Sequence, residues 1–99
     1  MKTILIIDDD PLIRKTLAAH FSSEEDYEIT LAEDGREGLQ KYEENSPDLV
    51  ILDIRLPDIN GLEVLRKIKE INEKAHIIII TAYDDMKTTV EAIKSGAFE

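Results

Sequence analysis

Cysteine is absent from this chain. Disulfides, thiolate nucleophiles and cysteine-based zinc sites are excluded with it. Positive charge is scarce: 12 Lys and Arg stand against 22 Asp and Glu, a formal net charge of −10. Nucleic acids and anionic membranes are bound through clustered cations, so direct binding of either is not expected. No apolar run approaches the roughly 20 residues of a membrane-spanning helix. The opening, MKTILIIDDD, meets acids too early to read as a secretory signal. A soluble protein of the cytoplasm is the expectation. The sequence also lacks a linker, a low-complexity tract, an internal repeat, a Ser-His-Asp set, a Walker loop and a dinucleotide glycine pattern. With 99 residues, 42% of them hydrophobic, it is read as one domain, 1–99, with a real but modest core.

What is present alternates between two periods. Ile4 to Ile7 is apolar at every position, as in a strand covered on both faces of a parallel sheet. It stops at three consecutive carboxylates, Asp8, Asp9 and Asp10. Asp10 is a candidate helix N-cap, Pro11 a suitable first helical residue. Ile13, Leu17 and Phe21 recur at helical spacing, which predicts a helix from Pro11 to about Ser22. YEITLA alternates as an edge strand, Asp34-Gly35 reads as a turn, and Leu39 and Tyr42 mark a short helix ending near Asn45. Leu49 to Leu52 is a second buried strand, again ending on a carboxylate, Asp53. After the loop IRLPDING, Leu62, Leu65 and Ile68 carry a third helix. HIIIIT is a fourth strand ending at Thr81; Met86, Val90 and Ile93 carry a last helix, stopped at Ser95-Gly96. Strand–helix alternation of this kind predicts an α/β fold with a parallel sheet and helices on both faces.

Ligands in such folds sit beyond the carboxyl ends of the strands, where the strand order reverses. If the first and third strands are neighbours, Asp8, Asp9, Asp53 and Thr81 converge on one crevice. Three carboxylates so close repel one another when all are ionised, so either one takes up a proton or a cation joins them. Magnesium suits the donor set: it accepts one or two carboxylates, keeps waters and uses the rest of its sphere on phosphate. Asp53 stands apart from the pair and can serve as a nucleophile forming an aspartyl phosphate; Thr81 can donate to a phosphate oxygen. Each residue has a plainer reading when taken singly. An Asp at a strand end is often only a helix cap, and Thr81 alone is an ordinary strand-end residue. Lys15, Lys67, Lys69 and Lys94 read as solvated helix faces, Tyr42 as core. His20 and His76 have no second His nearby and are not expected to bind metal. Tyr83 either covers the crevice or is a plain surface residue.

With these residues in view, the chain resembles the receiver domains of bacterial two-component response regulators. The stretches ILIIDDDPLIRKTL, PDLVILDIRLPDINGLEVL and IIIITAYDD carry the resemblance in order and spacing. It implies a flavodoxin-like (CheY-like) sheet of order 2-1-3-4. It also implies Asp53 as phosphoacceptor, with Mg2+ held by Asp8, Asp9, Asp53 and the main-chain carbonyl of Arg55. Thr81 matches the hydroxyl residue that follows the phosphate and switches. The partner implied is a sensor histidine kinase. TAYDDMKTTVEAIKSGAFE is similar to receivers that work with an alternative sigma factor.

Family members continue past GAFE into a fifth strand and fifth helix, and carry a lysine that pairs with the phosphoryl group. No residue here can be assigned to that lysine; Lys94 sits too early. The expectation is therefore a shortened receiver whose fourth-strand edge is bare and apolar, which favours self-association into a homo-oligomer. Three functions stay open: a phosphoacceptor module that is not an enzyme on external substrates, a small magnesium-dependent phosphohydrolase, and an inactive, self-associating receiver fragment.

Overall fold

The computed structural model describes residues 2–22 and 26–80. Their order is β1 (Lys2–Ile7), α1 (Pro11–Ser22), β2 (Tyr27–Ala32), α2 (Gly35–Asn45), β3 (Leu49–Asp53), α3 (Gly61–Ile71) and β4 (Ile77–Ile80). Thr81, Tyr83, Lys94, the helix read from Met86 to Ile93 and its Ser95-Gly96 stop lie outside the described residues. All strand pairs are parallel, and the sheet order is β2-β1-β3-β4. The fold is the CheY-like arrangement expected. No helix among the described residues is long and apolar enough to cross a membrane.

Burial follows the two-residue strand period. Leu5, Ile7, Val50, Leu52 and Ile77 face one side, packed with Tyr42, Leu62, Val64, Leu65 and Ile68 from α2 and α3. Ile4, Ile6 and Ile51 face the other, against Leu17 and Phe21 of α1. Covering both faces explains why the central strands are apolar at every position. β1 is two residues longer than its apolar run because Lys2 and Thr3 pair with Tyr27 and Glu28. The exposed end of β2, YE, fits its place at the edge.

Two local readings are corrected. Asp34-Gly35 is not a free turn: Asp34 is the N-cap of α2, its carboxylate accepting from the Glu37 amide at 2.8 Å. A short acid before a run of helix formers competes well as a cap, and Gly35 becomes the first helical residue. Lys69 is not simply solvated. Its Nζ donates to the Ala75 carbonyl at 2.6 Å, bridging the end of α3 to the approach of β4. Tyr42 is core, as read.

One glycine positions the functional end of the sheet. A Cβ on Gly61 would lie 2.6 Å from the Asp53 carbonyl oxygen and 2.6 Å from the Ile54 Cα. Both are backbone atoms and cannot turn aside. The Gly61 amide donates to the Ile54 carbonyl at 2.9 Å, closing the return of the chain onto β3. Gly61→Ala should therefore cost about 2 kcal/mol or more by overpacking, read by urea unfolding. A change below 0.5 kcal/mol, the scale of a neutral surface substitution at roughly ±0.5, would contradict this close approach.

Candidate functional site

β1 and β3 run side by side in register, from Ile4 opposite Leu49 to Ile7 opposite Leu52. The next residues along the two strands are Asp8 and Asp53, so the sheet itself brings these carboxylates together. Asp9 follows in the turn before α1. One carboxylate oxygen from each of Asp8, Asp9 and Asp53 lies within 4.8 Å of the others. With Asp10, Ile13, Arg55 and Ile80 they line a pocket of about 420 Å³ at the carboxyl ends of the strands. Asp8, Asp9, Asp53 and Arg55 thus share one site; Thr81, next after Ile80, is outside the described residues.

Among the described residues, backbone amides hold two of the acids. Asp8 Oδ1 accepts from the Asp10 amide at 2.9 Å, and Asp53 Oδ1 accepts from the Arg55 amide at 3.1 Å. Asp10 caps α1 by accepting from the Leu12 amide at 2.9 Å, as its sequence position indicated. Asp8 is buried, Asp53 half-buried and Asp9 exposed. Burial is the main force raising the Asp53 carboxyl to about 6; the charges of Asp8 and Asp9 add to it, and the Arg55 amide opposes it. Asp8 is also raised, first by burial and then by Asp9, against the pull of the Asp10 amide.

Asp8 Oδ2 is fully buried and has no hydrogen-bond partner among the described residues. A buried carboxylate oxygen left unpaired is costly, and such an atom marks a place where a further ligand belongs. All the donors are hard oxygens, which suits magnesium: that ion takes one or two carboxylates directly and reaches others through water. The residues present therefore fit a bound Mg2+.

Sequence reading missed the groups that steady this constellation. Arg14, one turn into α1, donates from Nη1 to the Asp8 carbonyl at 2.6 Å and pairs with Glu33 at 3.8 Å. Asn60 caps α3 through the Leu62 amide at 2.8 Å. Asp58 accepts from the Gly35 and Arg36 amides at 2.8 and 2.9 Å. The Asn60 cap had a local signal, an Asn directly before the helix. Arg14 reaches back six residues across the turn to Asp8, while its pairing with Glu33 and the Asp58 contacts join residues that only the fold makes neighbours.

An acid whose folded pKa exceeds its unfolded value binds protons more tightly when folded. Its contribution is stabilising at low pH and is lost as pH rises, here from 3.8 through about 6. Asp53→Asn in chelated buffer should accordingly raise the melting temperature at pH 8 and change it least near pH 4. Allowing for partial exposure, the gain at pH 8 is on the order of 1 kcal/mol, about 5 °C for a chain of this size. An equal shift at both pH values would refute the charge-crowding account.

Comparison with known proteins agrees with this geometry. The response regulator receiver domain matches residues 4–99. The chain is 37% identical over 97 residues to the chemotaxis protein CheY of Thermotoga maritima, covering 97% of this chain and 80% of that protein. It is 34% identical over 96 residues to the regulatory protein AtoC of Escherichia coli K12, covering 97% of this chain but only 21% of that protein. Among solved structures, a chain of the CheX–CheY–BeF3–Mg2+ complex from Borrelia burgdorferi superposes with a TM-score of 0.88 at 32% identity. That likeness covers 97% of this chain and 73% of the other. Strand order, acidic constellation and sequence likeness meet in one conclusion: the chain belongs to the receiver domain family of two-component response regulators.

Proposed function

We propose that this receiver accepts a phosphoryl group on Asp53 from the phosphohistidine of a sensor histidine kinase. The observation that carries the reading is the buried, unpartnered Asp8 Oδ2 within a cluster whose acceptor carboxylate is half-exposed. In the transfer, an Asp53 carboxylate oxygen forms a bond to phosphorus while the phosphorus–nitrogen bond of the donor breaks, and the imidazole leaves with its electron pair. Asp8, Asp9, Asp53 and the Arg55 main-chain carbonyl would hold Mg2+. The ion supplies positive charge against the acids and the phosphoryl oxygens. The burial and the neighbouring charges that raise Asp53 would thereby be countered, leaving it ionised and nucleophilic at neutral pH. Thr81 would donate its hydroxyl to a phosphate oxygen and reorient on phosphorylation.

On this reading the chain is a signalling module, not an enzyme for external substrates, and its only chemistry is gain and loss of its own phosphoryl group. It works in the cytoplasm and does not itself bind nucleic acid; its charge of −10 supports that. The Mg2+ in the similar Borrelia burgdorferi complex supports the choice of ion.

The test is incubation with a small phosphodonor and Mg2+, followed by intact mass. One phosphoryl adduct per chain is expected, absent in Asp53→Asn and absent when Mg2+ is chelated. Continuous turnover of the donor without an accumulating adduct would favour a phosphohydrolase. No adduct and no turnover would favour an inactive, self-associating domain.

A further inference from the structure

The loop between β3 and α3 does more than connect them. Arg55, at its start, lines the acidic pocket, and its amide is held by Asp53 itself. Three residues later the chain is fastened to a different element. Both carboxylate oxygens of Asp58 are used, one on the Gly35 amide and one on the Arg36 amide, the first two of α2. The adjoining Ile59 sits over Gly35: a Cβ there would lie 2.4 Å from Ile59 Cγ1 and 2.8 Å from Cδ1. Gly35 is buried, and only its missing side chain lets the loop approach so closely. Pro57 narrows the backbone between Arg55 and Asp58 further.

Capping alone does not account for this clasp. Asp34 already occupies the N-cap of α2 and serves the Glu37 amide. Arg36 is exposed, so water can satisfy its amide. A carboxylate brought from 22 residues away, with both oxygens engaged and an apolar contact beside it, fixes the loop as much as the helix. Among the described residues the loop is also fastened by the Gly61 amide on the Ile54 carbonyl, the Ile54 amide on the Ile80 carbonyl and the Asn60 cap. The segment bearing the Arg55 carbonyl is thus stretched between the Asp53 carboxylate and the N-terminus of α2.

We propose that this clasp, Asp58 on the Gly35 and Arg36 amides with Ile59 seated over Gly35, positions the Arg55 carbonyl for Mg2+ and couples occupancy of the acidic pocket to the start of α2. The inference rests on the magnesium reading above. Asp58 is a positioning residue: it touches neither the ion nor the phosphoryl group and acts through the backbone of the loop. Coupling of this kind is reciprocal. Filling the pocket steadies the loop and so tightens its hold on α2.

Calorimetric titration of the whole chain with Mg2+ alone tests it, with three variants. Asp58→Asn leaves one acceptor oxygen for two amides, and Gly35→Ala pushes Ile59 off its seat from the opposite side. Both should weaken Mg2+ binding on the order of tenfold, as loss of an outer-shell support does. Asp34→Ala, which removes the cap of the same helix end without touching the loop, should lower the melting temperature while leaving Mg2+ affinity within about twofold. In the unaltered protein, Mg2+ should slow amide hydrogen exchange at Gly35 and Arg36 and leave Glu37, held by Asp34, unchanged. No Mg2+ binding by the unaltered protein overturns the proposed function together with this inference. Normal Mg2+ affinity in Asp58→Asn and Gly35→Ala, or equal weakening in Asp34→Ala, overturns this inference alone. Unchanged exchange at Gly35 and Arg36 does the same and requires no variant to fold.

Discussion

Asp8 and Asp53 leave a parallel sheet side by side, and the rest of the site is organised around that fact. Two unit charges 4.8 Å apart repel by about 3 kcal/mol at an effective dielectric near 20. Among the described residues, backbone amides rather than a side-chain cation hold the Asp8 and Asp53 carboxylates. The nearby guanidinium of Arg14 is spent on the Asp8 carbonyl and on Glu33, not on the carboxylates. The Asp10 and Arg55 amides orient the acids without neutralising them. Negative potential is thus conserved at one end of the sheet, where an ion from solution can claim it.

Rigidity around the acids comes from close approach. Gly61 lies against the backbone at Asp53 and Ile54, and Gly35 admits Ile59. α2 and α3 both pack on the face of the sheet formed by Leu5, Ile7, Val50 and Leu52. The loop carrying Arg55 is suspended between these two helices. Precision at the site therefore depends on backbone contacts some distance from the carboxylates.

The fold was legible because its signals are local and repeated. Ile4 to Ile7 and Leu49 to Leu52 announce buried strands, and Asp10-Pro11 announces the helix that follows. The acidic constellation was legible one step further, since a parallel sheet needs only β1 beside β3 to gather Asp8, Asp9 and Asp53. Asp34-Gly35 misled because the same pair suits a turn and a capped helix start, and the close seat of Ile59 decides between them. Lys69 misled because a long stem on a helix surface looks solvated until the returning Ala75 carbonyl lies within reach. Arg14 on Asp8 and Asp58 on α2 carry no periodicity or spacing rule. The first is a side-chain-to-backbone bond across the turn from β1 into α1, six residues long; the second joins segments that only the whole topology makes neighbours.

The sheet order has an electrostatic consequence. β1 pairs with β2 and with β3, and among the described residues it is β3 that brings Asp53 to Asp8 and Asp9. The parallel β1-α1-β2 unit can form without Asp53 beside Asp8 and Asp9. Asp53 lies 45 residues after Asp8 in the chain, so the repulsion among the three carboxylates belongs to the contact between β1 and β3. Screening by salt therefore acts on that contact more than on the pairing of β1 with β2.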